Sequence, residues 1–223
     1  MDVACLYSGG KDSTYALYVA QQRGWEISNL VTVVPESVES MMYHVPNLHL
    51  VSKLSECLGI PLLQKAAGEG EKGELDALRS ILKDAGVDGI VTGTIMSDYQ
   101  KSRIDRVCND LGLKSFSPLW RRDQANLLDD YLLTGFKILI VGVAAEGLDR
   151  SWLGRELDEK ARQDLIALSE KTGVSLCGEG GEFESLVIDG PNFQKKLEIM
   201  ESTVEWKGSS GVLRILQAVV SLK

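Results

Sequence analysis

Ser8-Gly9-Gly10-Lys11-Asp12-Ser13 lies between a short apolar run, Val3 to Tyr7, and a segment of helical spacing, Thr14 to Arg23. A strand that ends in a glycine turn and feeds a helix N-terminus is an anion site. Its backbone N–H groups point at the ligand and the helix dipole favours negative charge. Gly9 and Gly10 let the chain turn tightly and approach a phosphate without a Cβ in the way. Lys11 adds a point charge, and Ser8 and Ser13 add hydroxyls. Asp12 is the odd member, because a bare phosphate cradle gains nothing from a carboxylate. It makes sense if it orders the loop through backbone N–H groups, or if Mg²⁺ accompanies the phosphate. A nucleotide is the expected ligand.

Outward from this loop, strand and helix signals alternate. Ile27 to Val34 is rich in β-branched residues and stops at Pro35, as a buried strand does. Glu36 to Pro46 reads as a long loop. Asn47 is placed to cap a helix running to about Leu58, with Gly59 at its end. Leu62 to Lys65 gives a third strand, and Gly68 to Gly73 a turn. Leu75, Leu78, Ile81 and Leu82 mark a helical face within Glu74 to Ala85. Gly89 to Thr92 is a fourth strand ending at Gly93-Thr94, and Ser97 to Leu111 a further helix. This alternation predicts a doubly wound α/β domain, its parallel sheet covered on both faces. In such sheets ligands sit beyond the carboxyl ends of the strands, where strand order reverses. With the order 3-2-1-4-5, Gly93 and Thr94 face the opening loop across that crevice.

Pro118-Leu119-Trp120 breaks the rhythm, so a first domain is expected over residues 1–120 and a smaller α+β domain over 121–223. The latter opens with a helix, Asp123 to Thr134, and a strand, Lys137 to Ala144. After the loop from Gly147 to Arg155 and the helix from Glu159 to Thr172 come an acidic turn, Gly178 to Ser185, and short strands.

At 223 residues the chain can bury roughly 70% of its unfolded surface, and 44% hydrophobic with 25% charged residues is ordinary for a soluble globular protein. Net charge −8 argues against a long nucleic-acid track, although Lys101 to Arg122 is locally basic. Cys5, Cys57, Cys108 and Cys177 form no C-x-x-C pair and read as core, without metal or redox spacing. No signal peptide or membrane-length run stands out, so a cytoplasmic protein with no membrane partner is expected. The sequence does not exclude a homo-oligomer.

The opening motif is neither a Walker A loop nor G-x-G-x-x-G. Ser8 to Ser13 resembles the signature of the PP-loop ATP pyrophosphatases, a HUP-type adenine-nucleotide-binding fold whose members split ATP between its α- and β-phosphates. Three further stretches resemble the diphthine–ammonia ligase family. These are Thr92-Gly93-Thr94-Ile95 through Asp98-Tyr99-Gln100-Lys101-Ser102-Arg103 to Pro118-Leu119-Trp120; Met42-Tyr43-His44-Val45-Pro46-Asn47; and Gly178-Glu179-Gly180-Gly181-Glu182-Phe183-Glu184-Ser185. The resemblance covers nearly the whole chain. It departs mildly at Tyr43, Lys101 and Phe183-Glu184-Ser185, where the family pattern has Phe, Arg and Tyr-Glu-Thr; Phe183 lacks the hydroxyl.

The resemblance implies ATP-dependent amidation of the diphthine carboxylate on translation elongation factor two, with ammonium as nitrogen source. It further implies an acyl-adenylate, release of AMP and pyrophosphate, and ATP with Mg²⁺ as cofactors. Ser8, Gly9, Gly10, Lys11, Asp12, Ser13, Gly93 and Thr94 are then expected at the nucleotide, with Asp12 on the metal. Lys11, Asp12, Glu182 and Glu184 are expected to be catalytic, and His44, Tyr99, Gln100, Arg103 and Glu179 to contact substrate. Glu179, Glu182 and Glu184 form a carboxylate cluster without a basic neighbour in sequence. Such a cluster suits either ammonium or the trimethylammonium group of diphthine, the latter with Trp152 or Phe183 as an aromatic face. Arg103 and Arg106, one helical turn apart, suit a phosphate or a carboxylate. His49 reads as structural, and Glu69, Glu71 and Glu74 as a solvated loop.

Two alternatives remain from residues alone. A tRNA-modifying sulfur transferase of the PP-loop class calls for catalytic cysteines and a basic surface, and this chain has neither in evidence. A non-catalytic nucleotide-binding module needs a pocket, but not Lys11 and Asp12 beside a carboxylate-rich second domain. Release of AMP and pyrophosphate separates these classes.

Overall fold

The computed structural model describes residues 1–35 and 46–223. The expectations for Met42 to Val45, His44 among them, lie outside the described residues. Strand β1 (Asp2–Leu6) leads through the Ser8–Ser13 loop into α1 (Lys11–Gln22), followed by β2 (Glu26–Val34). A short 3₁₀ turn at Leu48–Leu50 precedes α2 (Val51–Leu58), and then come β3 (Leu62–Ala66), α3 (Gly70–Asp84) and β4 (Gly89–Val91). Helix α4 (Asp98–Leu111) and β5 (Lys114–Phe116) complete a five-stranded sheet of order β3-β2-β1-β4-β5, parallel throughout. That is the predicted order.

Parallel strands bury both faces, and β1 shows how this chain does it. Val3 and Cys5 point into one core with Leu17, Leu30 and Leu54, beneath α1 and α2. Ala4 and Leu6 point into the other with Leu78, Leu82 and Ile104, beneath α3 and α4. Deleting most of one fully buried side chain, as in Leu54→Ala, costs about 2–5 kcal/mol. Gly59 and Gly112 end α2 and α4 in the left-handed conformation, and the Ser97 hydroxyl caps α4 by accepting from the Gln100 N–H.

Three local expectations change. Asn47 does not cap a helix. At φ 64° its side chain instead donates to the Leu213 carbonyl and accepts from the Ile215 N–H, pinning the chain to a distant strand. Helix α3 begins at Gly70, so much of the expected Gly68–Gly73 turn is helical. Glu74, expected in a solvated loop, is buried.

Past Leu119, which is fully buried, α5 (Gln124–Thr134) is capped by Asp123, whose carboxylate accepts from the Asn126 N–H. Strand β6 (Lys137–Val143), α6 (Glu159–Thr172), β7 (Phe183–Asp189), β8 (Lys195–Lys207) and β9 (Ser210–Leu222) follow. The four strands make an antiparallel sheet of order β7-β6-β9-β8. The expected short strands are in fact a long hairpin, β8 and β9 having 13 residues each. Register shifts around Glu201 interrupt the alternation that would have marked it as continuous. The larger apolar cluster runs unbroken from the α1–α2 face of the parallel sheet to Leu186, Leu197 and Ile215 of the antiparallel one. Among the described residues no helix is long and apolar enough to cross a membrane.

Candidate active site

A cavity of about 550 Å³ opens beyond the carboxyl ends of β1, β2 and β4, where β1 is paired with β2 on one side and β4 on the other. This is the position that the reversal of strand order favours. Ser8, Asp12 and Ser13 supply one wall, Thr92, Gly93 and Thr94 the next, and Gly178 to Gly181 with Glu184 the wall opposite. Val31 and Val33 of β2 add an apolar side, and Tyr99 and Gln100 stand on the first turn of α4.

The Ser8–Ser13 loop is held mainly by its own atoms. Gly9 takes φ 82°, a conformation that a side chain disfavours. The Ser8 N–H donates to the Ser13 hydroxyl at 3.3 Å, the Gly10 N–H to the Ser8 hydroxyl at 3.3 Å, and the Ser13 hydroxyl to the Gly10 carbonyl at 3.1 Å. Gly10 at the N-cap position offers no side chain, and of the first helical N–H groups that of Lys11 donates to the Ser185 hydroxyl. The positive end of α1 is thereby presented at the cavity edge. Gly93 makes this approach feasible: a Cβ there would lie 2.6 Å from Asp12 C and Ser13 N.

Lys11 departs from expectation. It is not among the residues lining the cavity, and it is 3% exposed. Its ammonium donates to the Cys177 carbonyl at 2.5 Å and to Asp12 Oδ2 at 2.9 Å, and lies 5.0 Å from the centre of the Phe183 ring. Burial works against its charge, but the Asp12 carboxylate and the other nearby acidic groups outweigh it and hold its pKa above the usual lysine value. The other Asp12 oxygen, Oδ1, accepts from the Tyr131 hydroxyl at 2.7 Å. Tyr131 is fully buried on α5, with its pKa well raised, first by desolvation and then by the Asp12 charge.

The three glutamates of the acidic turn have different surroundings. Glu179 and Glu184 line the cavity and Glu182 does not. Glu182 folds back on its own turn, accepting from the Gly180 N–H at 2.7 Å and the Ser175 N–H at 3.3 Å. Glu179 accepts from the Met96 N–H at 2.9 Å, joining the turn to the segment after β4. Its pKa is raised, mainly by desolvation and further by the Asp12 charge. Glu184 is pushed up to about 7 by burial, with Lys11 opposing and Asp12 and Glu179 adding to the rise. A carboxyl poised near neutrality is suited to taking and giving protons.

Arg103, expected to contact substrate, is not among the residues lining the cavity. It pairs with Glu71 through two hydrogen bonds of 2.7 and 3.0 Å, and its guanidinium stacks 3.4 Å over the Tyr99 ring, whose hydroxyl also donates to Glu71. Glu71, expected to be merely solvated, is the hub of this cluster. Its pKa is lowered, chiefly by the Arg103 bond. Two other residues have roles that the sequence did not suggest. Tyr131 reads as one more apolar position on a helical face with Leu127 and Leu128. Gln124 accepts from the Ser175 hydroxyl and the Cys177 N–H, securing the base of the acidic turn.

Comparison with known proteins follows this geometry. Residues 1–115 match the model of the diphthamide synthase N-terminal domain and residues 123–220 that of the C-terminal domain. Proteins named diphthine–ammonia ligase are 34% identical in Bos taurus and 34% in Homo sapiens, in each case over 92% of this chain and 85% of that protein. The Schizosaccharomyces pombe protein of that name is 35% identical over 100% of this chain, which spans 40% of its length. A solved Methanocaldococcus jannaschii chain described as a predicted subunit of tRNA methyltransferase aligns with a TM-score of 0.46 and 17% identity, over 86% of this chain and 98% of that one. That likeness is too weak to bear on function.

Proposed function

We propose a function from one premise: this chain belongs to the diphthamide synthase family, whose two domain models together match nearly all of it. The protein uses ATP to amidate the diphthine carboxylate of translation elongation factor two with ammonium, the last step of diphthamide biosynthesis. The observation that carries this reading is that one cavity joins a helix-start phosphate cradle at Ser8–Ser13 to the carboxylates of Glu179 and Glu184.

A carboxylate is a poor electrophile, so activation comes first. A diphthine carboxylate oxygen attacks the α-phosphorus of ATP, the α–β bridging bond breaks, and pyrophosphate leaves. The open N-terminus of α1 and the Ser8 and Ser13 hydroxyls meet the charge that builds on the phosphates. Thr94 and Gly93 border the same wall, while Val31 and Val33 offer an apolar seat for the base. Among the described residues no group of three or more His, Cys, Asp and Glu side chains could hold a resident metal. Mg²⁺ carried by the nucleotide fits better, since it takes most of its ligands from phosphate and water and needs one or two protein carboxylates. Asp12 is that residue: it lines the cavity, and its two hydrogen bonds leave lone pairs on both oxygens. The ion would supply neutralisation of phosphate charge.

The second half-reaction needs ammonia rather than ammonium. Glu184, with its pKa near 7, accepts the proton, and Glu179 adds the second negative charge that draws the cation in. The ammonia nitrogen attacks the acyl carbon, the bond from that carbon to the AMP oxygen breaks, and AMP leaves with the proton that the new amide nitrogen sheds. Incubation of the protein with ATP, Mg²⁺, ammonium and diphthine-bearing elongation factor is expected to yield AMP, pyrophosphate and the small mass decrease of an acid becoming an amide. AMP without the mass change would remove the substrate assignment and keep the chemistry. ADP as product would remove the activation step.

A further inference from the structure

Lys11 stands within a phosphate-binding loop, yet apart from its neighbour Asp12 its ammonium contacts groups outside that loop. It reaches the Cys177 carbonyl, the Asp12 carboxylate and the face of Phe183, and it takes no part in the cavity wall. Cys177 and Phe183 flank the turn that carries Glu179, and Phe183 directly precedes Glu184 at the start of β7. The backbone of the same loop is tied to the strand beyond that turn, with the Lys11 N–H donating to the Ser185 hydroxyl at 3.1 Å and the Val187 N–H to the Gly9 carbonyl at 2.9 Å. The Lys11 side chain therefore reaches the near end of the turn, while the loop backbone grips the far end.

We propose that Lys11 is a positioning residue, a buried strut that fixes the acidic turn against the nucleotide loop, and that it makes no contact with the phosphates. An ammonium that binds phosphate faces the cavity once ATP is in place. Lys11 is instead enclosed by a carbonyl, a carboxylate and an aromatic ring, three groups that satisfy an ammonium in a low-dielectric setting. Its position explains how Glu184 can be buried and still stay near the loop: the strut supplies a positive charge behind the turn that opposes the repulsion from Asp12 and Glu179. The assignment rests on the amidation reading only where it gives the turn its purpose.

The direct test uses the wild-type protein, treated with an amine-acetylating reagent with and without Mg·ATP and followed by peptide mass spectrometry. At doses that modify the exposed Lys72 and Lys160, Lys11 is expected to remain unmodified in both states. Acetylation of Lys11 in the ATP-free protein overturns the proposal. A second measurement uses Lys11→Met. It is expected to bind ATP within about threefold of wild type, whereas a lost charged phosphate contact weakens binding about tenfold or more. Amide formation falls at least ~30-fold in that variant, the scale of a misplaced acid–base group, and hydrogen exchange rises across 175–182 but not across β8 and β9. A tenfold loss of ATP affinity, or unchanged exchange in the turn, overturns the strut. Neither footprint nor affinity requires the elongation factor. Wild-type protein that makes no amide would sink the functional reading and leave the strut to be judged on these results.

Discussion

The nucleotide loop and the acidic turn face each other across one cavity, and each mixes local bonds with borrowed ones in a different way. The loop is largely self-supporting: Ser8, Gly10 and Ser13 bond to one another within six residues. The turn has internal bonds through Glu182 and Ser175, but its position is held by others. Gln124 of α5 secures its base, the Met96 N–H holds Glu179, and Lys11 holds the Cys177 carbonyl. Local hydrogen bonding makes a motif that works wherever a strand feeds a helix. Borrowed hydrogen bonding makes a site that forms only when both halves of the chain are folded and docked.

Gly93→Ala should break the loop side most severely. Its new Cβ would meet the backbone of Asp12 and Ser13, which cannot yield as a flexible side chain does. Overpacking of this kind costs about 1–3 kcal/mol, and ATP binding should be lost with it. Thermal melting and an ATP titration check both; unaltered binding would mean that the helix start is not the phosphate cradle.

On the turn side, Glu184→Gln should stabilise the protein at high pH. The folded-state pKa of Glu184 is raised to about 7 from the ordinary 4.5, so the native state holds a proton that the unfolded state gives up between those values. Wild-type stability therefore falls as pH rises through that window, by on the order of 3 kcal/mol. The glutamine variant escapes this fall, so its melting temperature should exceed that of wild type at pH 8 and converge with it at pH 4. Equal melting temperatures at pH 8 would show that the carboxylate is not penalised.

A smaller effect is expected from Tyr131→Phe, which removes only the hydroxyl that donates to Asp12. Hydrogen bonds to charged groups contribute about 1.5–3 kcal/mol, and AMP formation should slow about tenfold as Asp12 loses its alignment. Wild-type AMP formation in this variant would separate the hydroxyl from the loop's work. Glu182→Gln should do least. The amide oxygen can keep the 2.7 Å bond from the Gly180 N–H, while the longer bond from the Ser175 N–H is lost, so amidation should change by about threefold, the scale of losing one weak hydrogen bond. A large loss would return Glu182 to the catalytic role that its place in the motif suggested.

The same contrast explains what the sequence made legible. The alternation of strands and helices, the helix ends at Gly59 and Gly112 and the place of the nucleotide loop follow from short-range signals, namely apolar runs, glycine stops and a glycine-rich turn, while the strand order came with the fold that the loop motif resembles. The family resemblance, read from four stretches, is borne out by the two domain models. What escaped was tertiary. Three-residue β5, Lys114–Phe116, is too short to show a pattern. Whether Glu182 or Glu184 faces the cavity turns on how the chain folds back at Gly180 and Gly181, and all three glutamates look alike in sequence. Lys11 has four flexible bonds, so its place in the loop says nothing about where its ammonium ends. Tyr131 hides a hydroxyl at the end of an otherwise apolar face, and Glu71 finds Arg103 only because α3 packs on α4.

If the two regions serve two half-reactions in one cavity, Glu184→Gln separates them. AMP formation would be measured with diphthine-bearing elongation factor and hydroxylamine, a nucleophile already neutral, beside amide formation with ammonium. The account predicts that AMP formation with hydroxylamine stays within about threefold of wild type while amidation with ammonium falls about 10²- to 10⁴-fold, the range for loss of a general base. An equal fall in both would contradict it, and would place Glu184 in substrate binding or activation instead.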